Sequence, residues 1–308
     1  MLSGGDFMAI VRTDIPITSA LNDSYILQLI KTYPFARSEL LTSTAFQRPI
    51  RTLVLGNGPR KVILSASHHA NEWITSLVLL KFAEDLAEAI QRNDSDALAL
   101  RDPATVYMVP MVDPDGVDLV VDAIEPGNIQ YDLAERLARD YPTIPFPDGW
   151  KANLLGVDLN LNYPAKWLRA REIKFSQGFV SPAPRDYVGR APLNQLETQA
   201  LAGYTEYINP ALVLALHAQG EEIYWTFDDI FVPGAEALGQ RMAEVSGYIL
   251  ATPPINSSFA GYKDWFIQQF RRPGYTIEVG RGENPLPLSQ FDSIYQKVAP
   301  LLRVAVLG

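Results

Sequence analysis

The stretch that decides the fold reads VILSASHHANEW at residues 62–73. Its apolar start, Val62 to Leu64, predicts a buried strand, and its polar end carries the pattern His-x-x-Glu. The residues that follow, Thr75 to Gln91, repeat apolar positions at helical spacing. Strand, polar turn and helix in this order are typical of an α/β fold, in which sites form at the carboxyl ends of strands. The sequence therefore predicts a site at residues 68–72.

The chain has three histidines, and their positions point to a metal. His69 forms the His-x-x-Glu pattern with Glu72, while His217 ends a second apolar run, Ala211 to Leu216. Imidazole and carboxylate are ligands that zinc prefers, and a hydrolytic zinc site usually takes three of them and leaves one position for water. His-x-x-Glu alone also fits a surface turn whose glutamate caps a helix. Because two histidines end apolar runs, we predict that zinc is bound by His69, Glu72 and His217.

Composition limits the kind of protein this can be. The 308 residues contain 47% hydrophobic and 20% charged side chains, an ordinary balance for a soluble globular protein. No linker divides them, so we predict a single catalytic domain over residues 1–308, with a lead-in helix and first strand region at 1–50. Cysteine is absent, which excludes disulfides, thiolate ligands and a thiol nucleophile. The formal net charge of -9, without clustered Lys and Arg, argues against a nucleic-acid partner.

The start of the chain and the length of its apolar runs bear on location. Residues 1–12 lack a basic start followed by an apolar core. No run approaches the roughly eighteen apolar residues that a membrane span needs. We therefore expect a cytoplasmic protein without a membrane partner. The sequence gives no indication of the oligomeric state.

Apolar runs alternate with stretches of helical spacing along most of the chain. Strands are predicted at Arg51 to Leu55, Lys61 to Ser67, Val106 to Val112, Ala211 to Leu216 and Tyr275 to Val279. Helices are predicted at Asp23 to Thr32, Thr75 to Gln91, Leu196 to Ile208, Ala235 to Ser246, Tyr262 to Phe270 and Ser289 to Val306. A Pro- and Gly-rich excursion at residues 114–150 is expected to form walls around a site. This rhythm predicts an α/β fold with a central mixed, mostly parallel sheet covered by helices on both faces.

Further polar residues stand beside or within the apolar runs. Trp150-Lys151 precedes Gly156-Val157-Asp158-Leu159-Asn160, and Glu278 is the single acid of its predicted strand. A glutamate in a buried strand is costly unless it is paired or functional. Glu278 therefore either forms an ion pair with Arg271 or Arg272 or belongs to the site.

Together these residues resemble the zinc carboxypeptidases, the carboxypeptidase A-like metallopeptidases, from about Arg51 to the C-terminal helix. The resemblance implies that the zinc ligands are His69, Glu72 and His217. It also implies that the strand glutamate, Glu278, is the general base of a peptidase in which water is the nucleophile. The expected cofactor is zinc.

The resemblance implies two supporting roles. Asp158 stands where the family has an aspartate that hydrogen-bonds a zinc-binding histidine, here His69, and such acids fix the tautomer of the ligand. A helix or turn cap is the structural alternative for Asp158. Members of the family polarise the scissile carbonyl with an arginine that follows a tryptophan, and here Lys151 follows Trp150. Lysine supplies the charge but not a bidentate fork. His68 is a polar neighbour of the site in this pattern and not a ligand.

Departures from the family pattern concern the substrate. The arginine that clamps a terminal carboxylate is replaced by Leu161, directly after Asn160. The tyrosine that closes over substrate aligns with Asn256, which leaves Tyr262 as a stand-in. Lys263 occupies the position, just before Asp264-Trp265, that lines the side-chain pocket in the family, so the resemblance implies a preference for a negatively charged group. A conventional carboxypeptidase is therefore not expected.

Four strings are similar to a narrower branch, the γ-D-glutamyl-meso-diaminopimelate peptidase I enzymes. They are HANEWIT at 69–75, PRDY at 184–187, HAQGEEIYW at 217–225 and AGYKDWF at 260–266. The similarity implies hydrolysis of the bond between D-glutamate and diaminopimelate in bacterial cell-wall peptides. The partner is then a cell-wall-derived peptide, whose carboxylates Lys263 and Arg185 could receive. We expect an intracellular enzyme that trims recycled or imported muropeptides.

Two other functions stay open. One is a carboxypeptidase or deglutamylase with a preference for acidic side chains, which Lys263 allows and Leu161 disfavours. The other is a non-catalytic, metal-dependent binding protein, which the presence of Glu278 disfavours.

Overall fold

The computed structural model describes residues 9–308, and a seven-stranded sheet forms their centre. The strands are β1 (Leu40–Ser43), β2 (Pro49–Arg51), β3 (Leu53–Gly56), β4 (Arg60–Ala66), β5 (Ala104–Val109), β6 (Leu212–His217), β7 (Glu222–Tyr224), β8 (Ile249–Ala251) and β9 (Gly274–Glu278). The helices are α1 (Ser19–Thr32), α2 (Ile74–Gln91), α3 (Ser95–Arg101), α4 (Pro114–Val120), α5 (Ile129–Ala138), α6 (Trp167–Ser176), α7 (Leu196–Ile208), α8 (Ala235–Ser246), α9 (Tyr262–Phe270) and α10 (Phe291–Leu307). Within residues 9–308 no helix has both the length and the apolar character that a membrane crossing requires.

The large sheet has the strand order β3-β5-β4-β6-β9-β7-β8. Its inner pairs β5/β4, β4/β6 and β6/β9 are parallel, as is β7/β8, whereas β3/β5 and β7/β9 are antiparallel. The short strands β1 and β2 form a separate antiparallel pair. The sheet is therefore mixed and mostly parallel, and the predicted fold class is confirmed.

Side chains of the central strands point alternately to the two faces of the sheet, as the pleat requires. On one face Val62 and Leu64 of β4 join a hydrophobic cluster with α1, α2 and α10. On the other face Ile63 joins a cluster with α7 and α9. Helices cover both faces, which explains why the sequence of β4 is apolar at consecutive positions. Full burial of each such side chain contributes about 1.5–3 kcal/mol to the stability of the fold.

The predicted elements differ from the observed ones where a proline ends a strand or a polar side chain caps a helix. The strand predicted to end at Val112 stops before Pro110, which has no N–H to offer a neighbouring strand. The excursion at residues 114–150 contains the helices α4 and α5. Asp113 caps α4 by accepting a hydrogen bond from the Gly116 N–H at 3.0 Å, and Asn128 caps α5 in the same way.

The ends of β4, β6 and β9 lie side by side and bring the polar residues together. His217 ends β6, Glu278 ends β9, and the two are direct partners in the parallel register. After β4 the chain turns at Ser67, which has a left-handed φ of 47°, and enters a 3-10 turn at Ala70–Glu72. The hydroxyl of Thr75 donates to the Glu72 carbonyl at 2.7 Å and accepts from the Ser67 N–H at 3.0 Å. These bonds fix the turn that presents the first two candidate ligands.

Candidate active site and metal centre

Three buried side chains converge at this edge of the sheet: His69, Glu72 and His217. One ligand atom from each lies within 4.8 Å of the others. Nδ1 of His69 is 2.9 Å from Oε1 of Glu72, and Nδ1 of His217 is 2.9 Å from Oε2 of the same carboxylate. The fold therefore brings together the three residues that the sequence predicts as metal ligands.

The orientation of the donor atoms fits a bound cation. Nε2 of His69 faces Oδ1 of Asp158 at 3.1 Å, so with a metal bound the ring would donate its one proton there and direct the Nδ1 lone pair inwards. Nδ1 of His217 is 3.2 Å from Nδ1 of His69. The Ala218 N–H donates to Oε2 of Glu72 at 3.1 Å and fixes the carboxylate. Two imidazole nitrogens and a carboxylate directed at one point match the His-His-Glu donor set of hydrolytic zinc.

Asp158 holds His69 in this orientation from outside the ligand group. Its carboxylate accepts hydrogen bonds from the N–H groups of Asn160 and Asp186, both at 3.2 Å. Burial raises the pKa of Asp158, but the attraction of His69 outweighs burial and lowers the pKa below its ordinary value. The predicted contact with His69 is present. The alternative role, a cap, is also present, because Asp158 precedes the short turn Leu159–Leu161.

Glu278 and Lys151 line the same cavity as the candidate ligands. Burial and the nearby carboxylate of Glu72 raise the pKa of Glu278 to about 8. Nζ of Lys151 is 3.0 Å from Oε1 of Glu72. Burial lowers the pKa of Lys151, but the attraction of Glu72 outweighs it and raises the pKa, so the amine stays charged. Arg272, an alternative partner of Glu278, donates instead to Oδ1 of Asn209 at 2.7 Å.

Three of the residues predicted to contact substrate line this cavity: Asn160, Arg185 and Lys263. The side chain of Arg185 is 40% exposed and donates from Nε to Oδ2 of Asp186 at 2.8 Å. Lys263 is different, since its side chain is only 5% exposed and forms an ion pair with Asp264. The charge of Lys263 is therefore already balanced inside the protein.

Tyr262, the fourth of these residues, lies away from the cavity. Its ring is fully buried and stacks on His68 with the ring centroids 5.5 Å apart. Its hydroxyl bonds Oγ1 of Thr205 at 2.7 Å. The first turn of α9 thus directs Tyr262 into the core and Lys263 towards the cavity. This placement contradicts the expectation that Tyr262 contacts substrate, and the side chain of Asn256 lies outside the described part of the structure.

His68 packs against the ligand group without joining it. Its ring stacks on that of His217 with the centroids 5.5 Å apart, and its Nε2 is 3.5 Å from the Tyr163 hydroxyl. Burial and the nearby His217 lower the pKa of His68 well below its ordinary value. His68 is therefore a neutral packing residue beneath the site.

Three charged residues of the cavity wall were not among the predicted site residues, namely Lys174, Asp186 and Asp264. Nζ of Lys174 is 2.5 Å from Oδ1 of Asp186. Lys174 lies on α6, a largely polar helix, and nothing in its spacing marks it as part of a site. Asp186 lies within the PRDY string that pointed to Arg185, and that string was the available signal.

Comparisons with known proteins agree with this geometry. The family model described as zinc carboxypeptidase matches residues 23–300. Gamma-D-glutamyl-L-diamino acid endopeptidase 1 of Lysinibacillus sphaericus is 42% identical over 284 residues, which are 90% of this chain and 68% of that protein. The uncharacterised protein YqgT of Bacillus subtilis (strain 168) is 36% identical over 90% of this chain and 73% of its own length.

The fold is also shared with solved structures of low sequence identity. Bovine thrombin-activatable fibrinolysis inhibitor, solved in complex with tick carboxypeptidase inhibitor, has a TM-score of 0.71 at 16% identity. The match covers 96% of this chain and 97% of that one. Since the family model spans most of the residues and the Lysinibacillus relative is similar over nine tenths of them, the chain belongs to the zinc carboxypeptidase family of metallopeptidases.

Proposed function

We propose that this chain is a zinc-dependent peptidase that hydrolyses the γ-D-glutamyl bond to a diamino acid, diaminopimelate in particular, in bacterial cell-wall peptides. The observation that carries the proposal is the convergence of His69, Glu72 and His217 beside Glu278 in a chain 42% identical to a gamma-D-glutamyl-L-diamino acid endopeptidase. The family is zinc-dependent, and the donor set suits that metal.

The reaction follows from the positions of the protein side chains. Zinc, when bound, supplies a Lewis acid that lowers the pKa of water and polarises the scissile carbonyl. Glu278, whose pKa burial raises, accepts a proton from the attacking water and delivers it to the leaving amine. The Lys151 ammonium stabilises the negative charge that develops on the carbonyl oxygen. Asp158 keeps the His69 tautomer that leaves Nδ1 free.

The cavity supports an endopeptidase more than a carboxypeptidase. Leu161 lines it where members of the family carry the arginine that clamps a terminal carboxylate. Without that fork, a C-terminal residue loses a charge-assisted pair worth about 1.5–3 kcal/mol, a ten- to hundredfold change in affinity. A γ-D-glutamyl-diaminopimelate peptide offers further carboxylates with which to recover that loss.

The alternative of a carboxypeptidase or deglutamylase with acidic preference depended on a free charge at Lys263. That charge is balanced by Asp264, so the alternative loses its support. A non-catalytic binding protein would not need Glu278 beside the ligand group.

The test compares purified, zinc-loaded protein on two isomeric peptides. One is L-Ala-γ-D-Glu-meso-diaminopimelate, and the other has the same residues joined through the α-carboxyl of glutamate. The proposal expects cleavage of the γ-linked peptide at the glutamyl bond at least about tenfold faster than any cleavage of its isomer, because the isomer presents the free carboxylate of glutamate at a different place and loses a charge-assisted contact. Equal rates on both, or release of C-terminal residues from ordinary α-linked peptides as fast as the γ-glutamyl bond is cut, would overturn it.

An intracellular role in trimming recycled or imported muropeptides is part of this proposal. It predicts that the activity separates with the cytoplasmic fraction of the source cells. Activity confined to the culture medium or the wall fraction would contradict that role and leave the chemistry untouched.

A further inference from the structure

The lysines and arginines around the cavity differ in how far their charge is already balanced. The cavity is lined by four such side chains, Lys151, Lys174, Arg185 and Lys263. A substrate carboxylate gains most from a cation whose charge is not already matched by a protein carboxylate. The pairing of each cation therefore indicates which one can receive substrate.

Two of the four cations are already engaged within the site. Lys263 pairs with Asp264, and both side chains are 5% exposed. Its Nζ also donates to the Thr226 carbonyl, so the ammonium is held away from a ligand. Lys151 lies 3.0 Å from Glu72, a carboxylate that it shares with His69 and His217, and in the proposed reaction its charge serves the scissile carbonyl.

The other two cations share a single carboxylate. Lys174 Nζ is 2.5 Å from Oδ1 of Asp186, and Arg185 Nε is 2.8 Å from Oδ2 of the same group. The neighbouring carboxylate of Asp158 faces His69, so Asp186 is the one carboxylate in direct contact with the two cations, and it balances only one of their charges. Lys174 is buried at 9% side-chain exposure, whereas Arg185 is 40% exposed. The excess charge is therefore accessible at Arg185.

Hydrogen bonds tie this cluster to the candidate metal centre. The N–H of Asp186 donates to Oδ2 of Asp158 at 3.2 Å, and Oδ1 of Asp158 faces His69 at 3.1 Å. Asp186 is thus hydrogen-bonded directly to Asp158, the side chain that orients the candidate ligand His69. Because Asp186 holds Arg185 through Nε, the two terminal nitrogens of the guanidinium remain as the edge suited to a carboxylate.

We propose that Arg185 is a specificity-determining residue that binds a free carboxylate of the peptide next to the scissile amide. In this arrangement Asp186 orients the guanidinium, and buried Lys174 supplies the extra charge that keeps it attractive to an anion. The site takes over the task that Leu161 cannot perform. The identity of the peptide rests on the proposed function, whereas the carboxylate site itself does not depend on turnover.

The experiment measures binding rather than cleavage. Zinc-loaded Glu278→Gln protein is titrated calorimetrically with L-Ala-γ-D-Glu-meso-diaminopimelate and with three twins, each carrying a carboxamide at one of its three free carboxyl groups. We expect one twin to bind about ten- to hundredfold more weakly than the parent peptide. That twin identifies the carboxylate that is recognised.

Adding Arg185→Gln should weaken the binding of the parent peptide by the same factor. It should also abolish the difference in affinity between the parent peptide and that twin. Adding Arg190→Gln is the matched control, because Arg190 is exposed five residues further along and does not line the cavity; it should preserve the difference. A difference that survives Arg185→Gln, or that disappears in Lys263→Met instead, would overturn the inference.

The two proposals fail in distinguishable ways. If the parent peptide binds through Arg185 but wild-type protein leaves its γ-glutamyl bond uncut, the proposed function fails and the carboxylate site stands. If wild-type protein cuts the bond but adding Arg185→Gln to the Glu278→Gln protein leaves its binding of all four peptides unchanged, the carboxylate site fails and the function stands. If the parent peptide does not bind at all, both are overturned.

Discussion

Replacement of Lys263 by methionine tests whether this lysine serves the fold or the substrate. Methionine keeps much of the apolar stem and removes the ammonium, so Asp264 loses its partner while it stays 5% exposed. Breaking a buried pair by removing one member costs about 3–5 kcal/mol. Asp264 still accepts the Gly261 N–H at 3.1 Å, which favours the lower end of that range, about 3 kcal/mol. For a chain of this length that corresponds to a fall in Tm of about 5 °C.

The assay is a double-mutant cycle in guanidinium chloride. Lys263→Met, Asp264→Asn and the double variant are unfolded in parallel with wild type. Asparagine keeps an oxygen for the Gly261 N–H and removes the charge, so the double variant should be more stable than the sum of the single losses predicts, by about 2 kcal/mol or more. A Lys263→Met loss below about 1 kcal/mol with additive effects would refute the pairing. Lys263 would then be free for substrate, and the argument for Arg185 would lose its basis.

Three further predictions follow from single residues. His217→Ala should lower zinc content sharply in metal analysis, because removing one of three ligands opens the site to water; full zinc in this variant would exclude His217 as a ligand. Asp158→Asn should weaken zinc affinity by about 10–100-fold in competition with a chelator, because the side chain that orients His69 is then no longer a carboxylate anion. Unchanged affinity would leave Asp158 with the role of a cap alone. Burial raises the pKa of Glu197 to about 7, so the folded chain holds a proton that the unfolded chain releases above about 4.3, and stability falls as pH rises from there to 7. In denaturant titrations, the free energy of unfolding of Glu197→Gln relative to that of wild type should therefore rise by about 3 kcal/mol between pH 4 and pH 8. A difference in unfolding free energy that does not change with pH would contradict the shifted pKa.

Much of the fold could be predicted because strands that are buried on both faces of the sheet have apolar residues at consecutive positions. His217 and Glu278 end such runs, so their meeting at one sheet edge follows from the parallel order of the strands. Helices such as α4 and α5 were missed because their ends are fixed by the caps Asp113 and Asn128 within a stretch rich in proline and glycine.

The wall of the cavity was harder to predict than the metal ligands. Lys263 and Asp264 are neighbours on a helix, where adjacent side chains do not normally face each other, so spacing gave no hint of their ion pair. Lys174 and Asp186 are 12 residues apart in the sequence and form their ion pair only in the folded chain. Such contacts depend on tertiary packing, which one sequence does not encode in any local pattern.

The most direct test of the central claim is the turnover of Glu278→Gln on L-Ala-γ-D-Glu-meso-diaminopimelate, measured with its zinc content. Glu222→Gln is the matched control, since Glu222 is the register partner of Glu278 on β7 and bonds the Tyr224 hydroxyl. We expect Glu278→Gln to keep one zinc per chain and to bind the peptide, yet to lose turnover by a factor of about 100 or more, while Glu222→Gln stays close to wild type. Near-normal turnover in zinc-loaded Glu278→Gln would contradict the central claim.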